Sequence, residues 1–414
     1  MRLLYLLTIS LLLNIPMTAQ PPSRSFPASL LYEKASPQLL KILDNPDTFR
    51  YQLIYTQIDR DKNNTPRFTH YKMRVNKDEY FNPASTVKMP LAFLALEKLH
   101  EMNIKDVDKH TPMLTDSAFN SQASVTEDSS SANGLPSIAH YIKKVFLVSD
   151  NDAYNRLYEF LGQQYINENL WKKGYKDMRI TRRFTPMNEE ENRHANPIRF
   201  IKNDQTIYTQ APVYSRVEFD FSKKLFIGNA HYNRQEQLIP SPMDFTRHNN
   251  APLEDLQQLL QSVLFPESVP SRRRFRLGKD DYEMLYRYMS QMPSESRHPR
   301  YDTSEYFDSY TKFFMFKADR SIPSYMRVFN KTGWSYGFLT DVAYIVDFKN
   351  NVEFMLSGVI YVNSDGVLND DKYEYQEIGY PYFKEVGNIF YEYELKRKRE
   401  RVPDLTKFKL SYVE

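Results

Sequence analysis

Hydrophobic and polar positions change their period twice along this chain. From Phe49 to Arg60 (FRYQLIYTQIDR) aromatic and β-branched residues alternate with polar ones, which predicts a strand. After the turn DKNNTP the run RFTHYKMRV repeats the pattern, so the two predict a hairpin. The period then becomes helical. From Thr86 to His100 the apolar residues Leu91, Leu94, Ala95 and Leu99 recur at helical spacing, and Pro90 removes one backbone bond and bends the first turns. Residues 113–137 are rich in Ser, Thr, Asp and Asn and read as a loop. SIAHYIKKVFLV and SDNDAYNRLYEFLG are two further helices, and PLEDLQQLLQSVL and DDYEMLYRYMSQM two more. Between these pairs, residues 181–250 show little periodicity and read as a long irregular insertion. SYMRVFNKTGW, FLTDVAYIVDF and VEFMLSGVIYVN return to strand character. YPYFKEVGNIFYEYELKRKR closes as a helix, and its basic run LKRKRER reads as a solvated end that suits the helix dipole.

Strands at both ends and helices between them predict an α/β fold. An antiparallel sheet built from both chain ends is flanked by helices and joined to an all-helical lobe. The expected boundaries are an α/β lobe over about 27–84 and 322–414 and a helical lobe over about 85–321, which contains the 181–250 insertion. The first nineteen residues, with a basic start, an apolar core from Leu3 to about Ile15 and a small residue at Ala19, read as a secretory signal peptide. The apolar run is too short to span a bilayer comfortably, and no later segment is long and apolar enough to do so. The expected product is an exported, periplasmic or secreted protein without stable membrane insertion.

Composition narrows the chemistry. A formal net charge of +3 on 55 basic and 52 acidic residues leaves no nucleic-acid footprint. There are only 11 glycines, with no GxGxxG and no Walker A pattern. With no cysteine there is no disulfide, thiol nucleophile or thiolate metal site. The 8 histidines form no HExxH, so neither metal nor cofactor is expected, and His194 and His231 read as surface residues.

Three short elements carry the candidate chemistry. Ser85-Thr86-Val87-Lys88 stands at a helix start, Ser149-Asp150-Asn151 in a turn between helices, and Lys331-Thr332-Gly333 on a strand near the C-terminus. Each is weak alone. Ser309-Tyr310-Thr311-Lys312 repeats the serine–lysine spacing, and Ser131-Ala132-Asn133 is a loose copy of the second element. A serine hydroxyl needs a base to act as a nucleophile, and at a helix start positions i and i+3 share a face, so Lys88 can reach Ser85. The ordinary readings of these residues are a helix cap, a solvated lysine, a turn and a strand end.

S-x-x-K, S-D-N and K-T-G in this order are the motif set of serine β-lactamases and penicillin-binding proteins. The chain resembles that superfamily, and class A β-lactamases most closely. Phe81 four residues before the serine, SDNDAYN and GFLTDVAYIVD extend the resemblance over most of the chain. The resemblance implies a serine hydrolase that opens a cyclic amide through an acyl-enzyme on Ser85, with Lys88 as base or base relay. Ser149 would relay a proton to the leaving nitrogen, and Asn151 would bind the substrate's amide. Lys331 and Thr332 would hold its carboxylate, and Gly333 would let it lie against the strand. The backbone N–H groups of Ser85 and Trp334 would form the oxyanion hole. The substrate would be a β-lactam or a peptide ending in D-Ala-D-Ala. A D-alanyl-D-alanine carboxypeptidase and a non-catalytic binder of wall fragments are the alternatives.

The match departs in one region. Class A enzymes carry a water-activating glutamate in an E-x-x-L-N context after S-D-N, and here RRFTPMNEEENRHANP stands in its place. Glu189 and Glu190, with Glu191 beside them, are the candidates for that base. The loop is longer than the family's before the pattern resumes at Ser241-Pro242, and Leu238 stands where the loop-closing aspartate belongs.

Overall fold

The computed structural model describes residues 24–412, so the leader expected at residues 1–19 lies outside the described residues. The predicted hairpin forms as β1 (Gln52–Arg60) and β2 (Pro66–Met73). The three later runs form β3 (Met326–Ser335), β4 (Phe338–Asp347) and β5 (Val352–Tyr361). They make one five-stranded antiparallel sheet in the order β3-β4-β5-β1-β2, with β1 pairing β5 from Gln52↔Val359 to Gln57↔Phe354. The α/β class and a sheet drawn from both chain ends are therefore as expected. β4 and β5 are buried along their whole length, so they lack the polar alternation that marks β2.

The helices lie where the period places them. α1 spans Lys88–Met102, α2 Ile138–Leu147, α3 Asn151–Leu161, α4 Leu253–Leu264, α5 Lys279–Ser290 and α6 Tyr380–Lys396. A tight 3₁₀ turn, Ala84–Val87, precedes α1. Pro90 consequently falls in the first turn of α1, where its missing N–H removes no intrahelical bond, and no bend is needed there. α4 packs on the sheet through Gln257, which donates to Thr56 Oγ1 (2.9 Å) and accepts from Ser357 Oγ (2.9 Å). One apolar core runs from Leu91 and Phe93 of α1 through Leu157 of α3 and Leu260 of α4 to Tyr344 and Val346 of the sheet. A second core under α6 joins Leu53, Ala343, Phe354 and Phe383.

Two expectations are corrected. Residues 181–250 are not irregular. Ile198–Lys202 and Gln205–Gln210 form a hairpin that extends Met113–Thr115 into a three-stranded sheet, and short strand pairs follow as far as Met243–Asp244. The turn residues Asn203 (φ 50°) and Asp204 (φ 60°) both occupy the left-handed region, as a two-residue hairpin loop demands and as Asn and Asp tolerate. The basic C-terminal run is a solvated helix end only in part: Lys396, Lys398 and Arg401 are exposed, and two arginines are not free. Arg397 is nearly buried and is bound to Asp59 and to Glu394 (2.9 Å), and the wholly buried Glu394 carboxylate also accepts from Tyr55 and Arg399. This cluster ties the end of α6 to β1.

Candidate active site

Ser85 sits in the 3₁₀ turn, partly exposed, on the wall of a cavity of about 510 Å³. The turn leads into α1 from Ala84, whose φ of 44° is one that L-residues rarely hold, and Ser149 in the α2–α3 turn has a φ of 62°. Backbone held this way costs on the order of 1–3 kcal/mol per residue and persists where the surroundings over-determine it. Both strained residues line the Ser85 cavity.

Lys88 begins α1 and is wholly buried. Its Nζ donates to the Ser149 carbonyl, to Asn151 Oδ1 (2.7 Å) and to Ser149 Oγ (3.3 Å). Burial lowers its pKa to about 7, against the opposing pull of Asp150. Half of such a lysine is neutral near pH 7, which suits a base. The Ser85 hydroxyl makes no hydrogen bond among the described residues, so Lys88 is turned to Ser149 and Asn151 rather than to Ser85. The oxygens of the α2–α3 turn solvate the buried ammonium. Ser149 Oγ also accepts from Lys331 Nζ (2.8 Å), so one hydroxyl bridges two lysines. Burial, and then the neighbouring Lys88 and Lys312, push Lys331 well below its ordinary value.

The strand motif divides by face. Successive side chains of β3 alternate, so Lys331 and Gly333 face the Ser85 turn while Thr332 points the other way. A Cβ on Gly333 would lie 2.6 Å from Pro83 O and 2.8 Å from Ser85 N. Glycine is thus required for the Ser85 turn to rest against the strand, a role different from the substrate contact expected of it. Thr332 is fully buried, its hydroxyl has no partner, and it does not line the cavity, so the structure does not bring it to the position expected for a carboxylate donor. We expect Gly333→Ala to slow acylation of Ser85 by about 10²-fold, because a displacement near 1 Å suffices for such a loss. Intact-mass kinetics with a penicillin read this directly.

Trp334 lines the cavity. β3 and β4 are joined by Tyr336 (φ 52°) and Gly337 (φ 79°), a two-residue turn with both centres left-handed. Ser335 and Phe338 are then the hydrogen-bonded closing pair, and the alternation of an antiparallel ladder turns the Trp334 N–H outward from the free edge of β3. That is the orientation an oxyanion donor needs.

The acidic run does not reach this site. Glu189 is exposed and paired with Arg247 (2.6 Å), and Glu190 is exposed and paired with His194 (3.2 Å). Glu191 closes a capping box with Asn188. Among the described residues no carboxylate lines the Ser85 cavity. The three glutamates form the first turn of a short helix, Glu189–Arg193, which directs them outward. Phe184 occupies the wall instead, 5.0 Å from Lys88 Nζ at its ring centre, and its N–H donates to Asn155 Oδ1 (2.8 Å). Asn155 is the last residue of SDNDAYN, so its place in the motif was visible and its task was not. His194 is half-buried and stacks on Phe119 at 3.7 Å, while His231 bonds the Ser241 carbonyl (2.9 Å).

The second serine–lysine pair shows what separates a motif from its copy. Ser309 and Lys312 are both buried, and Lys312 Nζ donates to Met289 O (2.6 Å) and Asn330 Oδ1 (2.6 Å). Neither lines the Ser85 cavity. Arg182, Arg234, His248, Tyr310 and Tyr336 complete that cavity, and nothing in their spacing announced them.

Residues 39–215 match the model of the beta-lactamase enzyme family. No curated protein matches the chain significantly in sequence. Among solved structures the chain is similar to a beta-lactamase from Xanthomonas campestris, with 14% identity, a TM-score of 0.47, and 87% of this chain and 98% of that one covered. It is also similar to one from Desulfarculus baarsii, with 16% identity, a TM-score of 0.43, and 85% and 96% covered. The family match takes in the serine–lysine turn and the S-D-N turn, and the K-T-G strand lies beyond it in the antiparallel sheet, so over residues 39–215 the chain is similar to the beta-lactamase enzyme family.

Proposed function

We propose that the protein is an exported hydrolase that opens a β-lactam or an acyl-D-Ala-D-Ala peptide by forming an acyl-enzyme on Ser85. The observation that carries this reading is the buried set Lys88–Ser149–Lys331 behind a partly exposed serine. Lys88, neutral in about half the molecules near pH 7, takes the Ser85 proton as the oxygen attacks the carbonyl. The oxyanion is met by the N–H groups of Ser85 and Trp334. Ser149, shared between the two lysines, passes a proton to the leaving nitrogen, and Lys331, which donates to Ser149 Oγ, offers N–H donors to a substrate carboxylate, whose arrival favours the charged amine. Asn151 holds the amide of the acyl side. No helix among the described residues is long and apolar enough to cross a membrane.

The cavity wall adds a consequence for the second half-reaction. With no carboxylate lining the Ser85 cavity among the described residues, no acidic base stands ready to activate water on the ester, and the acyl-enzyme is long-lived. This favours a penicillin-binding peptidase or a slow β-lactamase over a rapid one. The test is intact mass against time after mixing with benzylpenicillin, beside Ser85→Ala. The expected result is a one-to-one adduct on the wild-type protein that persists for many minutes and none on the variant. Clearance within seconds would overturn the slow release. Absence of any adduct would overturn the acylation. Phe184→Glu is expected to shorten the adduct's lifetime by about 10²-fold, the usual worth of a positioned base.

A further inference from the structure

The Ser85 cavity does not end at its own walls. Arg182, Arg234 and His248 also line an adjoining chamber of about 310 Å³, which continues to Arg193, Arg247, Phe219 and Phe221. All of these residues come from the 181–250 excursion. Their charges are not equally available. Arg193 donates to the carbonyls of Ser215 (3.0 Å) and Val217 (2.9 Å), and Arg247 is paired with Glu189. The two carboxylates of this chamber are engaged too, Glu189 with Arg247 and Asp244 with the Thr246 N–H (2.8 Å). Two cations remain.

Arg182 makes one side-chain bond among the described residues, from its guanidinium to His248 Nε2 (3.1 Å), which leaves most of its five donors open. His248 is held neutral, its pKa lowered to about 3 by burial and by Arg182 itself, so its Nε2 accepts and orients the guanidinium. Arg234 is exposed at the tip of a hairpin between Ala230–Tyr232 and Leu238–Ile239, and its side chain has no hydrogen bond or ion pair among the described residues. The tip is fixed by Asn233, whose Oδ1 accepts from Gln235 N and Gln237 N (both 2.9 Å). A rigid turn therefore holds an uncommitted guanidinium at the junction of the two chambers, next to a second one. With no carboxylate lining the Ser85 cavity itself, this junction has a net positive field.

We infer that the 181–250 excursion builds an anion subsite at Arg182 and Arg234, so that the preferred substrate carries a second carboxylate on its acyl side besides the one expected at Lys331. The class is an acyl-D-Ala peptide or β-lactam with an acidic side chain. This rests on the reading of the Ser85 cavity as the acyl-substrate site. Guanidinium–carboxylate contacts in a partly desolvated cleft favour the anionic ligand by about tenfold or more.

The test uses two penicillins that differ by one side-chain carboxylate, benzylpenicillin and carbenicillin. Their equilibrium binding to Ser85→Ala protein is measured by calorimetry, where no acyl-enzyme can form. Carbenicillin is expected to bind about tenfold tighter at low salt, with the ratio shrinking as ionic strength rises. Arg234→Ala in that background should bring the ratio toward one, and Arg234→Glu should invert it. Both are surface changes with no bond to lose, and an unchanged Tm certifies the fold. Equal affinities in Ser85→Ala, or a ratio untouched by Arg234→Glu, would overturn the subsite. A wild-type protein that forms no adduct with either penicillin would overturn acylation at Ser85 while leaving the binding ratio to decide the subsite.

Discussion

Lys88→Met is expected to slow acylation of Ser85 by about 10²- to 10⁴-fold while leaving a folded protein. The variant removes the amine proposed to take the serine proton and replaces a wholly buried lysine with an apolar side chain of similar length. In the wild-type protein the acylation rate should rise with pH and level off, with its midpoint near 7, because the neutral amine is the active form and its pKa is lowered to about 7. Lys331 shares Ser149 with Lys88, so the midpoint belongs to the coupled pair. The stability effect has a definite sign. Between the folded value of about 7 and the ordinary 10.5 the unfolded chain holds the Lys88 proton more often than the folded one, so this group makes stability rise with pH across that window. Lys88→Met removes that slope and should raise Tm at pH 6. A stopped series of intact-mass spectra from pH 5.5 to 9, paired with thermal melts, checks both halves. A flat pH profile in the wild-type protein would remove Lys88 from the role of base.

The second large effect lies away from the serine. Arg183 is fully buried, and its Nε donates to Glu159 Oε1 (3.1 Å) from α3, while its terminal nitrogen reaches the His194 carbonyl (2.7 Å). This pair anchors the start of the 181–250 excursion next to Phe184. Breaking a buried pair from one side leaves an uncompensated charge, which costs about 3–5 kcal/mol. Glu159→Gln, which strands Arg183 and also takes the partner of Arg156 (3.0 Å), is expected to lose that much in urea unfolding, and Arg183→Met, which leaves Glu159 paired with Arg156, less. The double variant should lose less than the sum, because the bond between the two side chains is then lost only once. Additive losses would mean that the two side chains act on stability independently.

How far the sequence leads depends on what kind of signal each feature leaves. Lys88, Ser149 and Lys331 meet behind Ser85, and their motifs are readable because each fixes residue type and order. The sheet was legible because β1 and β2 keep a period of two and β4 is a long apolar run. The hairpin at Ile198–Gln210 carried a turn signal, Asn203-Asp204, that the surrounding polar stretch obscured. Glu189 and Glu190 were chosen by proximity in sequence. A capping box at Asn188 instead sets them on a helix that faces out, and a local motif of that kind decides side-chain direction more strongly than neighbourhood does. Arg182 and Arg234 left no trace, since two arginines far apart in sequence meet only once the excursion has folded. Arg397 was misread because its partner Asp59 is 338 residues away.

The bond between Lys331 and Ser149 spans 182 residues, and Arg60 meets Glu353 across 293. A ribosome adding about 5–20 residues per second therefore delivers Ser85 and Lys88 many seconds before the strand that supports them. Throughout that interval β1 lacks the β5 strand that pairs with it in the finished sheet, and the serine turn lacks the Gly333 backbone it rests on. On the proposed acylation of Ser85, an incomplete copy is expected to be unreactive, and it presents open strand edges to whatever holds it during synthesis. Reactivity toward a penicillin would thus serve as a reporter of completed folding, switched on by the last strands to arrive.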